Sequence, residues 1–313
     1  MKFCHIFLLC IVSLVIVSCN PKTTALERSQ PIELSPLENI RRLAEENKQF
    51  LTIRSTSNTI HPPEIKAILQ RGHIIFAMVA QDQKPFFYHD EQTGELIGLD
   101  VEIGYEIANR LGVQAVFNQE AQSFDEVVLK VINKEADIAL SKLSVTTRRA
   151  ELVRYTNPYI SFRQALLINR LEFAKIGPEE HLADYIKKFQ GSLGVIKNSS
   201  YMNYGITNFP FANIVSFDTW EQTVNALFAG QVLAVYRDEG EILIVNTTRK
   251  DASILMKPVF INDKRDPIAM AVSVDAPLLQ EWLNVFLDEY LLQNRRNLTP
   301  SRLIERHFGN IEK

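Results

Sequence analysis

Residues 137–149 read Asp-Ile-Ala-Leu-Ser-Lys-Leu-Ser-Val-Thr-Thr-Arg-Arg, and the opening of this run decides the fold class. Ile138-Ala139-Leu140 is a short, uninterrupted apolar run, the pattern of a strand buried on both faces. It follows a helical face, because Phe124, Val127, Val128, Val131 and Ile132 recur at spacings of three and four. The same step repeats in both directions. Upstream, Pro63 to Arg71 is expected to be a helix ended by Gly72, His73 to Ala80 a strand, and Asp100 to Leu111 a helix capped by Asp100 and stopped by Gly112. Downstream, a helix near His181 to Phe189 precedes strands over Ser192 to Ile196 and Asn213 to Phe217, a helix over Trp220 to Ala229 and a strand over Val232 to Tyr236. Such alternation predicts an α/β fold with parallel sheets covered on both faces.

The last third adds a topological hint. Ile254 to Phe260 is strand-like, the polar run Asn262 to Pro267 interrupts it, and Ile268 to Val274 is strand-like again. Leu278 to Leu292 then forms an amphipathic helix carrying Trp282, Val285, Phe286 and Tyr290. Two α/β sets joined by extended segments imply two lobes with a cleft between them. Open α/β sheets bind small ligands at the carboxyl ends of their strands, where helix N-termini offer unpaired N–H groups to anions.

The chain has 313 residues, 46% of them hydrophobic, with 34 Lys and Arg against 37 Asp and Glu. That balance suits an ordinary globular protein of about two domains. A net charge of −3 without a clustered basic run excludes nucleic acid as a partner. The first residues read as a secretion signal: Met1-Lys2 is a basic start, Phe3 to Val17 is almost wholly apolar, and Ser18-Cys19 closes the stretch. It is short for a membrane span, which needs about 20 residues. A small residue before a cysteine resembles the bacterial lipobox, which implies a signal peptide over 1–18 and lipidation of Cys19. The alternative is a plain secretory signal that happens to contain Cys19. On the lipobox reading, the protein is periplasmic or at the cell surface and held to the membrane by lipid chains alone. Residues 19–61 form a tether with one helix, opened by Ser35-Pro36-Leu37-Glu38 and carried on by Leu37, Ile40, Leu43 and Ala44.

All three cysteines lie within the first 19 residues, so the mature chain holds no disulfide or cysteine nucleophile. The six histidines show no metal-ligand spacing, and Glu45-Glu46 and Glu179-Glu180 are most simply solvated. A nucleophile elbow, a P-loop and a dinucleotide glycine fingerprint are also missing from the sequence. No cofactor or metal is expected.

Four blocks in order carry a resemblance. Lys84-Pro85-Phe86-Phe87 leads to Gly94 to Ile103 and then to Glu106 to Gly112. The 137–149 run follows, with Tyr155-Thr156-Asn157-Pro158-Tyr159 behind it, and then come Gly194 to Ser200 and Ala234 to Glu239. Over roughly residues 62–295 the chain resembles the family 3 extracellular solute-binding proteins, the amino-acid receptors of bacterial ABC importers. The resemblance implies a two-lobed type II periplasmic-binding-protein fold that closes on an amino acid and is not an enzyme. Lobe 1 would comprise 62–161 with 266–313, and lobe 2 would comprise 162–265. The hinge would lie near Ile160 to Gln164 and Asn262 to Pro267. The partners implied are a small amino-acid ligand and an ABC importer permease.

The family's binding positions carry over residue by residue. Arg149 falls where an arginine grips the α-carboxylate through its forked guanidinium, and Ser144 falls where a hydroxyl and an N–H assist it. Ser199 and Ser200 open a helix after Gly194 to Ile196 and would meet the same carboxylate from the second lobe. Asp238 falls where an acid accepts the α-ammonium. Each taken alone could be a surface ion pair or a helix cap; the set in family order implies a binding site. Phe124 matches an aromatic wall of the cleft and equally well starts a core face, while Lys197 matches a lysine of the glutamine-binding branch or is a solvated strand end.

Four positions depart from the family's pattern. Gln83 stands where an aromatic often stacks on the ligand, Lys142 where Ser or Gly lines the cleft, Asn198 for a common Gly and Leu233 for a common Asp. An added cation and a missing aromatic argue against a cationic ligand. A polar or acidic amino acid fits better, with Lys142, Lys197 and Arg237 as partners for its side chain. Two alternatives stay open: an enzyme resembling cyclohexadienyl dehydratases on the same scaffold, and a sensor presenting its closed form to a membrane receptor.

Overall fold

The computed structural model describes Glu38, Arg41, Arg42 and residues 61–175, 182–294 and 298–308. The signal segment and Cys19 lie outside these residues. Of residues 19–60, within the stretch expected to form a tether, Glu38, Arg41 and Arg42 are described and helical, and Arg41 pairs with Glu95 at 3.4 Å. Among the described residues no helix is long and apolar enough to cross a membrane.

The first half of the chain runs α1 (Pro63–Arg71), β1 (His73–Val79), β2 (Tyr88–His89), β3 (Leu96–Ile97), α2 (Leu99–Leu111), β4 (Gln114–Ala121), α3 (Phe124–Ile132), β5 (Ile138–Ala139), α4 (Thr147–Ala150) and β6 (Val153–Tyr155). A long strand, β7 (Ile160–Asn169), leads into α5 (Arg170–Phe173), α6 (Leu182–Lys188), β8 (Ser192–Ile196), α7 (Ser200–Asn208), β9 (Asn213–Phe217), α8 (Trp220–Phe228) and β10 (Ala234–Asp238). The chain then forms α9 (Glu239–Thr248), α10 (Ala252–Leu255), β11 (Met256–Ile268), β12 (Ala271–Ser273), α11 (Pro277–Asn294) and α12 (Pro300–Phe308).

Two five-stranded sheets result, ordered β4-β1-β5-β12-β6 and β11-β7-β10-β8-β9. They are the cores of two lobes joined by two crossing strands. Neither is all-parallel, contrary to expectation: β12 runs against β5 and β6, and β7 runs against both β10 and β11. The crossing causes the mixture, because the chain leaves one lobe on β7, returns beside it on β11 and re-enters the first sheet from the opposite direction. Ile160 and Phe162 pack in the first core, whereas Ala165 and Leu167 face one side of the second sheet and Leu166 and Ile168 the other. That alternation is the two-residue period of a strand covered on both faces.

Several local expectations change. The helix expected to be capped by Asp100 starts from Gly98, whose φ of 126° is open to glycine, and Asp100 turns inward, fully buried. The edge strand β4 was hidden by Asn118, Gln119 and Glu120, polar residues that an edge tolerates. The 262–267 run does not end a strand. Instead β11 continues to Ile268, and its register shifts between Ile261 and Arg265 so that Asn262, Asp263 and Lys264 leave the ladder toward solvent. Ile254, expected in a strand, lies in the one-turn α10 and is 71% exposed. Val285 is also exposed; the buried face of α11 is Leu279, Leu283, Phe286, Leu287 and Tyr290.

Candidate functional site

The carboxyl ends of β5 and β10 face each other across the crossing strands. Phe124, Lys142, Ser144, Arg149, Ser199, Ser200, Tyr201, Arg237, Asp238 and Asp266 line one space there. Seven of these are sequence-expected site residues, and Arg237 was named with them as a side-chain partner. The strand expected over Val232 to Tyr236 lies two residues further on, which places Arg237 and Asp238 at its buried carboxyl end.

Arg149 is buried on the short helix α4, whose N-cap Thr146 accepts the Arg149 N–H at 3.3 Å. Its Nε and Nη2 donate to Asp125 Oδ1 at 3.0 and 2.9 Å, and its Nη1 donates to Ser144 O at 3.3 Å. One edge of the fork is therefore fixed by a carboxylate. Ser200 Oγ donates to Ser144 Oγ at 2.9 Å, and Tyr204 Oη donates to Val145 O at 3.2 Å, so the α7 end of one lobe is stitched to the other. Ser199 caps α7, accepting the Met202 N–H at 3.4 Å and donating to Ile196 O at 2.6 Å.

Asp238 is the N-cap of α9, and its Oδ1 accepts the Glu241 N–H at 3.2 Å. The acid expected to receive a ligand's ammonium has an internal cation beside it. Its Oδ2 lies 3.0 Å from Lys142 Nζ, which also donates to Glu241 Oε1 at 2.7 Å. All three side chains are buried, and Lys142 Nζ sits 5.1 and 5.6 Å from the ring centroids of Phe86 and Phe162. Lys142 therefore does not offer its charge freely to a solute's side chain. Burial pushes the Asp238 carboxyl up, but Lys142 and Arg237 outweigh it and hold the group below the usual carboxylate range.

Arg237 stands between the rings of Phe124, Trp220 and Tyr201, at 5.7, 5.7 and 5.9 Å. Phe124 packs on the first core and also lines the space. Gln83 does not reach this space: its Oε1 accepts from Arg237 Nη2 at 3.0 Å. With Glu241 it borders a separate groove of about 460 Å³ that Trp220 and Arg249 also line. Lys197 is exposed at the end of β8 and lines neither. Asn198 has φ 53°, a left-handed position that asparagine tolerates when it replaces glycine.

Sequence reasoning missed Asp125, Glu241 and Asp266. Glu241 follows Asp238 by three residues at a helix start, a spacing that puts both acids on one face. Asp266 is buried, accepts from Tyr201 Oη at 2.9 Å, and is pushed up to about 6 by burial and by Asp238. The room left among the lining residues is about 10 Å³ to the centre of a water-sized sphere, enough for one water molecule. Among the described residues no group of His, Cys, Asp and Glu is arranged to hold a metal.

Residues 75–310 match the bacterial extracellular solute-binding proteins, family 3. The arginine-binding periplasmic protein of Mannheimia haemolytica is 24% identical over 162 residues, 51% of this chain and 62% of that protein. The lysine/arginine/ornithine-binding periplasmic protein of Escherichia coli strain K12 is 24% identical over 155 residues, 49% of this chain and 56% of that protein. The chain thus matches less than two thirds of the length of these curated relatives. In three dimensions it is similar to a putative ABC-transporter binding component of Wolinella succinogenes complexed with lysine, with a TM-score of 0.64, 22% identity, and 77% of this chain and 97% of that one covered. It is also similar to the ancestral amino acid-binding protein AncCDT-1, a precursor of cyclohexadienyl dehydratase, with a TM-score of 0.62, 22% identity, and 78% and 98% covered. These likenesses show a type II periplasmic-binding-protein fold.

Proposed function

Because the chain belongs to the bacterial extracellular solute-binding proteins of family 3, we propose that it captures a small polar or acidic carboxylic acid between its lobes and hands it to an ABC importer permease. Amino acids are what its named relatives bind, which makes polar and acidic amino acids the first members of that class to compare. The lobes would divide near 161/162 and 265/266; the packing passes from the first core to the second between Phe162 and Ala165 and back between Ile261 and Ile268, which supports a division close to those points. The start of the sequence supports a lipid anchor on Cys19, outside either leaflet's interior.

One observation carries this reading. Arg149 is a buried guanidinium with one edge fixed by Asp125, and Ser144 and Ser200 meet beside it from opposite lobes. A carboxylate arriving at the free edge would gain charged hydrogen bonds from the guanidinium and the hydroxyls, strengthened by exclusion of water. Isothermal titration of the full-length protein in detergent against amino acids and small carboxylic acids is expected to find one solute bound one to one. Arg149→Ala should weaken it by at least about 100-fold, since hydrogen bonds to charged groups are worth roughly 1.5–3 kcal/mol each and two are lost. Equal affinity in wild type and Arg149→Ala would rule out this site.

The enzymatic alternative, elimination from a prephenate-like acid, has Asp266 in its favour as a buried acid lining the same space. Incubation with prephenate and arogenate is nevertheless expected to return both unchanged, because the neighbouring charges are tied up in internal pairs rather than presented to a reacting atom. Conversion of either compound would reverse that assignment.

A further inference from the structure

We propose that Lys142 is a built-in occupant of the subsite where a solute's ammonium would sit, so that this protein selects carboxylic acids that carry no amino group. The inference rests on the carboxylate site proposed above and specifies what the rest of the solute must lack.

An ammonium is recognised by acceptors, and the two carboxylates that Lys142 reaches are engaged. Asp238 gives Oδ1 to the Glu241 N–H at 3.2 Å and Oδ2 to Lys142 Nζ at 3.0 Å, with Arg237 Nε at 3.5 Å from that same oxygen. Glu241 gives Oε1 to Lys142 Nζ at 2.7 Å, and Arg237 Nη2 lies 3.9 Å from it. The rings of Phe86 and Phe162 stand beside the lysine nitrogen as cation-compatible walls. A second ammonium at Asp238 would have to displace Lys142 or lie against the buried cations Lys142 and Arg237, and like charges that close cannot both be paired.

The backbone indicates that this placement is built. Lys142 has φ 47°, a left-handed conformation unfavourable for a side chain with a Cβ. Its N–H is clamped by the buried Asp100 carboxyl at 2.7 Å, and Asp100 is itself held by Tyr159 Oη at 2.8 Å. Strain of this kind persists only where the surroundings over-determine it, and it concentrates at functional positions. At the acid-binding end Asp125 takes the Nε–Nη2 edge of Arg149, and Nη1 is held by a neutral acceptor, Ser144 O, at 3.3 Å. Lys142 thus takes an ammonium's place at Asp238 and Glu241; Asp266, whose buried Oδ1 has no hydrogen-bond partner, is the lining carboxylate it does not pair with.

Matched acids that differ only at the amino carbon test this directly: aspartate against malate and succinate, glutamate against 2-oxoglutarate and glutarate, and alanine against lactate and pyruvate. They are titrated into full-length wild type and Lys142→Ser. Wild type is expected to bind at least one amino-free acid at least about 100-fold more tightly than its amino acid partner, and Lys142→Ser should shift that ratio toward the amino acid by at least about tenfold. The wild-type comparison decides the matter even where the variant fails to fold. Wild type binding an amino acid as tightly as its amino-free counterpart would overturn the inference and leave the carboxylate site standing. Failure of every acid to bind would overturn both together.

Discussion

Replacing Gly98 with alanine is expected to lower the unfolding free energy by more than about 3 kcal/mol, because two independent penalties fall on the same atom. At φ 126° an L side chain is strained whatever the space around it, and a Cβ built there would stand 2.4 Å from Phe86 O and 2.9 Å from Phe87 N. Both contacts are with backbone, so no side chain can swing away. Phe86 O also accepts the Asp100 N–H at 2.8 Å, and Gly98 O accepts from Glu102 N at 2.9 Å. Relief of the clash would therefore loosen the start of α2 and the loop that carries the Phe86 ring toward Lys142. Gly72, at φ 78° with nothing within 4 Å, is the control; alanine there should cost only about 1–2 kcal/mol. Guanidinium unfolding of both variants measures the difference, and equal losses at the two sites would refute the steric argument.

The protein should also become more stable as the pH falls from about 8 to about 5, with Asp100 the largest contributor. Burial pushes the Asp100 carboxyl from 3.8 to about 7, the Lys142 N–H and Tyr159 Oη offsetting only part of the effect. The folded state then binds more protons than the unfolded state between those two values. Stability must rise as pH drops through that window and level off below about 4, where both states are protonated. At about 1.4 kcal/mol per pKa unit the full window corresponds to roughly 4 kcal/mol. Asp266, pushed to about 6 by burial and Asp238, adds in the same direction. Asp100→Asn, which keeps an acceptor for the Lys142 N–H, should be more stable than wild type at pH 8 and show a much flatter profile. Denaturant midpoints of both proteins across pH 5 to 8 would test this; a wild-type midpoint that falls on acidification would contradict the sign.

Much of the architecture was legible because burial on both faces leaves an uninterrupted apolar run, as in Ile138 to Leu140, and helices announce themselves by spacing, as in Phe124 to Ile132. Strand direction was not legible. Nothing in Ala271 to Ser273 says that it enters a sheet against its neighbours; that follows from the route of β7 and β11. At the cleft, Arg149, Ser144, Ser200 and Asp238 were expected together only through the family resemblance, and all four line one space. The acids beside them could not be expected in the same way, since Asp125, Glu241 and Asp266 are chosen by proximity in space. Lys142 marks the limit most clearly. The residue stood out in the sequence, but as a charge facing a solute; that Asp238 and Glu241 neutralise it internally is visible only when the lobes are brought together.

The insertion of β12 between β5 and β6 also sets an order of assembly as the chain is made. The second lobe's strands β8, β9 and β10 are contiguous in the chain, and β7 precedes them. The first sheet, although its strands begin emerging earlier, cannot seat β6 until Ala271 to Ser273 arrive to bridge it to β5. The half that is synthesised first is therefore completed last, and a nascent chain halted near residue 265 would carry an unfinished N-terminal sheet waiting on its final strand.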